Sequence, residues 1–143
     1  MSSSRFTAGS TGTCSCSNGN FNWTLSETSS GSTNWNLVIT SVDQSAPTLS
    51  SSSPSDNATG VAINSNIVLT FSEAVDAESG NITIKKTSDD STIETIDVTG
   101  AKVSGSGSTE ITINPDTDLT ADIDYYILID ATAFDDTAGN SYA

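Results

Sequence analysis

The 143-residue chain carries 18 acidic residues, four basic residues and no histidine, so its formal net charge is −14. A chain this poor in Lys and Arg is unsuited to binding nucleic acid, because phosphate contacts depend on those residues. The length allows one domain with a core of its own and a flanking arm. No stretch approaches the roughly 18 apolar residues of a membrane span, so we expect no membrane insertion.

Residues 1–20 consist mainly of Ser, Thr, Gly and Asn, and this composition predicts a flexible tail with little to bury. The tail contains both cysteines, Cys14 and Cys16, separated by one residue. A bridge between them would close a small, strained ring, so an intermolecular crosslink, a chemical modification and two free thiols are all alternatives. A metal site would need further soft ligands, and the sequence offers none.

Two segments after the tail resemble each other, and each alternates apolar with polar residues. The apolar positions are Phe21, Trp23 and Leu25 in the first segment and Trp35, Leu37 and Ile39 in the second. This period of two is typical of strands with one buried face. The simplest interpretation is a local hairpin joined through residues 26–32. Residues 21–45 are therefore predicted to form an N-terminal arm and linker.

Residues 46–143 contain short apolar segments about ten residues apart, separated by Gly, Asn, Asp and Ser, and this spacing predicts an antiparallel β-sandwich. Pro47 indicates that the first strand lies at an edge, because proline cannot donate to a central ladder. Residues 41–53 are predicted to be a linker that leads into this edge strand, and the predicted strands that follow are 60–63, 66–71, 81–86, 92–98, 101–104, 110–113 and 124–129. The nearly continuous apolar runs at 67–71 and 125–129 predict the central strands. We expect residues 116–121 and 131–137 to be connections with short helical turns.

Several motifs in this region match one family when they are taken in order. They are APT at 46–48, SPSDNATGV at 53–61, IVLTFSEAV at 67–75, INP at 113–115, YYILI at 125–129 and FDDTAGN at 134–140. Residues 46–143 thereby resemble the bacterial immunoglobulin-like domains that are repeated in S-layer proteins, large adhesins and other surface proteins. The resemblance implies an all-β, immunoglobulin-like antiparallel sandwich located outside the cell, at its surface.

The sequence departs from this family after the FDDTAGN turn. Family members continue there with a strand that closes the sandwich, often containing Trp-Asn-hydrophobic, whereas three residues follow the turn here. Residues 34–40 resemble that closing strand, and we expect them to fill the open position in another copy. The apolar residues of this donor strand are Trp35, Leu37, Val38 and Ile39. Self-closure would be strained, because residues 41–46 reach at most about 21 Å and a sandwich strand spans about 30 Å.

Strand donation from each molecule to the next is a head-to-tail contact that does not close, so it produces a fibre. We therefore predict a structural subunit of an extracellular filament or surface assembly whose partners are copies of itself. The alternative is a repeat of a large adhesin that acts as a spacer or as a module binding carbohydrate or calcium. Whether the second arm strand, with Phe21, Trp23 and Leu25, is also donated stays open. Trp23 and Trp35 are the candidates for contact with surface glycans.

The acidic residues are scattered over turns, without a histidine, a nucleophile–base pair or a phosphate-binding loop, so we expect no catalytic site and no enzymatic activity. No cofactor is required. Calcium is the best alternative use of the acids, because it accepts six to eight oxygen ligands from flexible loops. The candidate ligands are Asp135, Asp136 and Asn140 of one turn, with Glu73 or Asp76 of another segment. An ordinary Asx-type turn, in which Gly139 and Asn140 tolerate positive φ, explains the same residues without an ion.

Overall fold

The computed structural model describes residues 43–142 in full and, before them, the backbone of three strands. The chain separates into two compact units, Met1–Gln44 and Ser45–Ala143. The first unit contains β1 (Thr11–Cys16), β2 (Gly19–Glu27) and β3 (Trp35–Ser41), which form an antiparallel sheet in the order β1-β2-β3. The predicted hairpin of two alternating segments is confirmed as β2 and β3. The prediction of a flexible tail over residues 1–20 was wrong at β1, because a run of Ser, Thr, Gly and Cys carries little strand signal. Residues 1–10 of that predicted tail lie outside the described residues.

The register of this sheet gathers its large apolar residues on one face, because residues directly opposite each other in an antiparallel pair share a face. The opposed pairs are Trp23 with Ile39, Leu25 with Leu37 and, between β1 and β2, Cys14 with Phe21. Val38 lies opposite Thr24, on the other face. The three-stranded sheet thus has one mostly apolar face and one mostly polar face.

The second unit is a sandwich of two antiparallel sheets. Its strands are β4 (Leu49–Ser53), β5 (Ile67–Ala77), β6 (Asn81–Lys86), β7 (Thr92–Asp97), β8 (Val103–Ser104), β9 (Ser108–Ile113), β10 (Tyr125–Ile129) and β11 (Phe134–Asp136). One sheet has the order β11-β5-β9-β8, and β4 also pairs with β5. The other sheet has the order β10-β6-β7. Strand β5 is long enough for β4 to pair with its first half and β11 with its second half.

The core lies between the two sheets and is formed by inward-facing residues that alternate with outward-facing ones. In β6, for example, Ile82 and Ile84 are buried while their neighbours are only partly covered. The buried apolar residues are Leu69, Phe71, Val75, Ile82, Ile84, Ile96, Val98, Ile111, Ile113, Ala133 and Phe134. Burial of these side chains supplies the main driving force for the fold.

The strand order is that of an immunoglobulin-like domain, in which strands A, B, E and D form one sheet and C, F and G the other. Strands β4, β5, β9 and β8 occupy the positions A, B, E and D, and β6 and β10 occupy C and F. The predicted all-β, immunoglobulin-like sandwich is confirmed.

The strand predicted at 60–63 and the helical turns predicted in two connections were wrong. Residues 60–63 form no strand, because Val61 and Ile63 are 39% and 44% exposed and so offer no buried face to a sheet. Neither 116–121 nor 131–137 contains a helical turn. The second of these segments instead includes β11, whose Phe134 is fully buried and anchors the strand against β5.

Candidate strand-acceptor site

Strand β10 has the composition of a central strand but lies at the edge of its sheet. Its sequence is Tyr-Tyr-Ile-Leu-Ile, without a charge or a proline. It pairs with β6 on one side, and among the described strands nothing pairs with its other side. Among the described strands, the prediction that 125–129 is a central strand was therefore wrong. The same prediction for 67–71 is confirmed, because β5 is paired on both sides.

The register of β10 shows which backbone groups face the open edge. Thr87 N–H donates to the Asp124 carbonyl, and Asp130 N–H donates to the Asn81 carbonyl, in the same register as the rest of the pair. In an antiparallel pair, alternate residues direct both their N–H and C=O groups to the neighbouring strand. The even-numbered residues of β10 therefore bond to β6. The odd-numbered residues Tyr125, Ile127 and Ile129 present their backbone groups to the open edge.

The same three odd-numbered residues pack against the core, yet none of them is buried. Their counterparts on β6, Ile82 and Ile84, are covered almost completely because β6 has a strand on each side. An inward-facing residue at an edge lacks cover from the missing neighbour. β10 thus combines unpaired backbone groups with incompletely covered apolar side chains, and we name this edge the β10 edge.

A hydrogen bond of Tyr125 indicates which strand of the immunoglobulin-like fold β10 corresponds to. Thr120 N–H donates a hydrogen bond of 3.0 Å to the Tyr125 hydroxyl. A tyrosine at the start of strand F that bonds to the backbone just upstream is the tyrosine corner of immunoglobulin-like domains. Strand F lies between C and G in that fold, and β6 takes the position of C. The β10 edge is therefore the position of strand G, and no described strand occupies it.

An aromatic cluster lies where the turn after β11 returns towards the core. The ring of Phe71 lies 5.3 Å from that of Phe134 and 5.3 Å from that of Tyr142, the latter at an angle of 81°. Tyr142 N–H donates to the Phe134 carbonyl at 2.8 Å, and Ser141 forms a bridge with Asp135. Edge-to-face rings at this distance attract each other. The chain after the turn thus begins to run antiparallel to β11.

An ionic cluster around the largely covered carboxylate of Glu94 stabilises the connection that leads into β10. The Glu94 side chain, 8% exposed, accepts hydrogen bonds from Lys102 Nζ at 2.7 Å and from Thr117 N–H at 2.9 Å. Asp116 N–H also donates to it, and Lys102 forms a second ion pair of 2.7 Å with the Asp116 carboxylate. Burial alone raises the pKa of Glu94, but these hydrogen bonds outweigh it and lower the pKa to about 2. Glu94 thereby ties β7 to the segment that carries Thr120.

Asp136 organises the turn at 136–140. Its Oδ1 accepts hydrogen bonds from the backbone N–H groups of Ala138 and Asn140, and its Oδ2 accepts one from the Asn140 side-chain amide, each at 2.8 Å. The bonds from Asn140, together with those from Ala138 and Gly139, hold the pKa of Asp136 below its ordinary value against the effect of burial. This geometry is an Asx-type turn, and Gly139 has the positive φ of 85° that such a turn favours.

The predicted calcium ligands fall on two faces of the β5–β11 pair. Asp136 and Glu73 bring carboxylate oxygens within 4.8 Å of each other. Asp135 lies opposite Asp76 in the register, and adjacent residues of a strand point to opposite faces. Asp135 and Asp76 are therefore on the face away from Asp136. One ion cannot take all these residues as ligands, so calcium stays a prediction for either pair separately.

The Asp76–Asp135 pair gives a prediction about stability. Like charges directly opposite in a sheet are unfavourable, and Asp135 Oδ1 is buried without a hydrogen-bond partner among the described residues. With a chelator present, Asp135→Asn is expected to raise the free energy of unfolding by about 0.5 kcal/mol, measured by urea denaturation. Asp118→Asn, an exposed site, is the control for the change of net charge. Added calcium that stabilises wild type and Asp118→Asn but not Asp135→Asn would place an ion at this pair, and an equal response of all three would exclude it.

The residues predicted to form the donor strand lie on β3, in the first unit, and are described only as backbone positions. Trp35, Leu37 and Ile39 share the apolar face of the sheet with β2, and Val38 is on the other face. Tyr125 and Glu94 were not predicted as important residues. Tyr125 could have been found from its place after a turn at the start of an apolar run, whereas the partners of Glu94 are too distant in sequence to give a signal.

The sandwich and the β10 edge define an immunoglobulin-like module in which no described strand occupies the position of strand G. A family model described as Bacterial Ig-like domain matches residues 43–143, and the chain belongs to that family. Domains of this family are typically non-catalytic structural modules and occur in bacterial surface and extracellular proteins. No curated protein and no solved structure matches the chain. Within the part of the chain that the structure describes, no helix has the length and apolar character needed to cross a membrane.

Proposed function

We propose that this protein is a structural subunit of an extracellular filament or surface assembly, in which the β10 edge of each molecule accepts the strand at residues 34–40 of another copy. The observation that carries the proposal is the edge itself. Strand β10 has the sequence and the tyrosine corner of strand F, yet its inward-facing residues are incompletely covered. An added strand would bond to the backbone of Tyr125, Ile127 and Ile129 and cover their side chains.

The composition of β3 supports its role as the added strand. Residues Trp35–Ser41 contain no charged residue, so burying this strand removes no charge from water. Its apolar residues Trp35, Leu37 and Ile39 occur at every second position, as strand addition to a sandwich requires. β3 pairs with β2 along one edge, and no described strand pairs with its other edge. It can therefore join the β10 edge of another copy without leaving β2.

A charge on the apolar face of β3 tests the proposal. Wild-type protein is expected to form assemblies whose mean mass, measured by light scattering, rises with concentration, and electron microscopy should show elongated particles. Leu37→Asp is expected to lower the fraction in assemblies at least tenfold, because it places a carboxylate in the contact. Val38→Asp is the matched control: it lies on the other face and should assemble as wild type does.

A competing peptide tests the contact without changing the fold of the subunit. A synthetic peptide of residues 33–41, added in excess to the full-length protein, is expected to occupy the β10 edge and shorten the assemblies. The same peptide with Leu37 replaced by Asp should have no effect. A wild-type protein that stays a monomer at every concentration, and that binds no peptide, would contradict the proposal.

Membership of the family favours a second candidate function, a repeat of an adhesin or S-layer-type surface protein that acts as a spacer or binds surface glycans. Both candidates use the same sandwich, and they differ in the role of the arm. Glycan binding that is retained in Leu37→Asp and lost when Trp23 and Trp35 are replaced by Ala would support the binding module. If residues beyond Ala143 of a longer polypeptide supplied strand G, the competing peptide would not bind, and the spacer role would be favoured.

A further inference from the structure

The structure places the two cysteines on an edge strand of the first unit. Strand β1 pairs with β2 on one side, and no described strand pairs with its other side. Cys14 lies opposite Phe21 and Cys16 lies opposite Gly19. Because residues two apart in a strand share a face, both cysteines lie on the same face of this edge strand.

The extended backbone of β1 opposes a disulfide between these two cysteines. Two steps along a strand separate the Cα atoms by about 6.7 Å. The Cβ atoms of two residues on one face of one strand are about as far apart, whereas a disulfide needs about 3.5–4.5 Å between them. Bridging Cys14 to Cys16 in one molecule would require β1 to lose its extended geometry and hence part of its pairing with β2.

We propose that the β1 edges of two copies pair antiparallel around a two-fold axis at Ser15 and are joined by two disulfides, each from Cys14 of one copy to Cys16 of the second copy. With the two-fold axis at Ser15, the Ser15 residues of the two copies lie opposite each other, and Cys14 of each copy lies opposite Cys16 of the second copy. Directly opposite Cβ atoms in an antiparallel pair are about 4.5–5.5 Å apart, close enough for a bridge after a small adjustment. The contact is the same on both copies, so it closes after two.

Electrostatics favours this region as the place where copies meet. The first 42 residues contain one basic and one acidic residue, Arg5 and Glu27, while the chain as a whole has a net charge of −14. Two copies would repel each other through their second units, and at physiological ionic strength this repulsion falls off over about 8 Å. Strand β1 itself carries no charge. Pairing at β1 therefore brings together the parts of the two molecules that repel least.

Each bridge forms by thiol–disulfide exchange with a small disulfide such as oxidised glutathione. One cysteine thiolate attacks the small disulfide and releases one thiol, and the cysteine of the second copy then displaces the other thiol. The two cysteines are oxidised to one disulfide, and one small disulfide is reduced to two thiols. An extracellular location supplies the oxidising conditions in which such a bridge persists.

The test uses the full-length protein incubated with oxidised glutathione, followed by non-reducing denaturing electrophoresis and intact mass measurement. Wild type is expected to give a covalent dimer that lacks four hydrogen atoms relative to two chains and has no free thiol. Cys14→Ser and Cys16→Ser should each stay monomeric alone, because each remaining cysteine then faces a serine. An equimolar mixture of the two variants is expected to give a covalent dimer with one bridge, at least tenfold more than either variant alone.

Three outcomes would overturn the inference. The first is a wild-type monomer that has lost two hydrogen atoms, which indicates an internal bridge. The second is a glutathione adduct without any dimer. The third is a pair of single variants that each dimerise alone as well as they do in the mixture. Denaturing conditions separate any non-covalent assembly, so the result does not depend on strand donation at the β10 edge. The inference can therefore fail while the proposed function holds, and the reverse is also true.

Discussion

Proline at position 127 is expected to abolish assembly and leave the domain folded, whereas proline at position 128 is expected to destabilise the domain strongly. Ile127 presents its N–H to the open edge, so Ile127→Pro removes a donor that only an added strand would use. Leu128 lies opposite Thr83 of β6, and Leu128→Pro removes a bond within the sheet. The Leu128 side chain is 50% exposed, so its loss has little direct effect on the core.

Ile127→Pro should affect assembly more than stability, and Leu128→Pro should affect stability more than Ile127→Pro does. Ile127→Pro is expected to lose about 1–2 kcal/mol of stability through its partly covered side chain and to remain monomeric at concentrations where wild type assembles. Leu128→Pro is expected to lose about 3 kcal/mol, because it leaves a carbonyl of β6 without its donor and disturbs the strand pairing. Circular dichroism and light scattering measure the two effects. Normal assembly of a folded Ile127→Pro protein would rule out the β10 edge as the acceptor.

Replacing Glu94 with Gln is expected to lower the free energy of unfolding by about 3 kcal/mol at pH 7. The reason is the low pKa of Glu94 in the folded protein, about 2 against an ordinary value of 4.5. A carboxylate with a depressed folded-state pKa contributes stability that is fully present above the unfolded-state value and is lost as the pH falls towards the folded-state value. The contribution of Glu94 should therefore disappear between about pH 4.5 and pH 2.

The difference between wild type and Glu94→Gln isolates this residue from the other acids that titrate in the same range. Urea denaturation at pH 7, pH 4 and pH 2.5 should show a difference that shrinks as the pH falls, because protonated Glu and Gln have nearly the same shape. Glu110→Gln makes the same change of charge at an exposed position and should show almost no difference at any pH. A difference for Glu94→Gln that does not change with pH would mean that packing, and not ionisation, causes it.

The strands that were predicted correctly are those in which side-chain pattern alone determines the structure. Strand β6 has the predicted bounds because Ile82 and Ile84 alternate with polar residues. β5 was predicted as central because its apolar run needs cover on both faces, although it extends beyond the predicted end at Phe71, past a register shift between Thr70 and Val75. A shift of this kind depends on the partner strand, so the sequence of β5 alone does not reveal where the strand ends.

The candidate site could be predicted only in part, because its properties depend on neighbours distant in sequence. The apolar run at 125–129 correctly indicated a strand, but its place at an edge depends on whether another strand is present. The strand signal in Val61 and Ile63 was misleading, because neither residue meets a sheet that could bury it. The acidic motif at 134–140 predicted both a turn and an ion, and the hydrogen bonds of Asp136 account for the turn.

The pairing of β5 also bears on the order in which the body folds. Its partners come from both directions along the chain: β4 precedes it, while Val75 pairs with Ser108 and Ala77 pairs with Phe134. Contacts between residues this distant in sequence form late, because long loops must close first. During synthesis, β5 is therefore without its partner β9 until residues 108–113 have emerged, and without β11 until residues 134–136 have followed. The sheet that contains β5 therefore reaches its final strand pairing only after β11 is available.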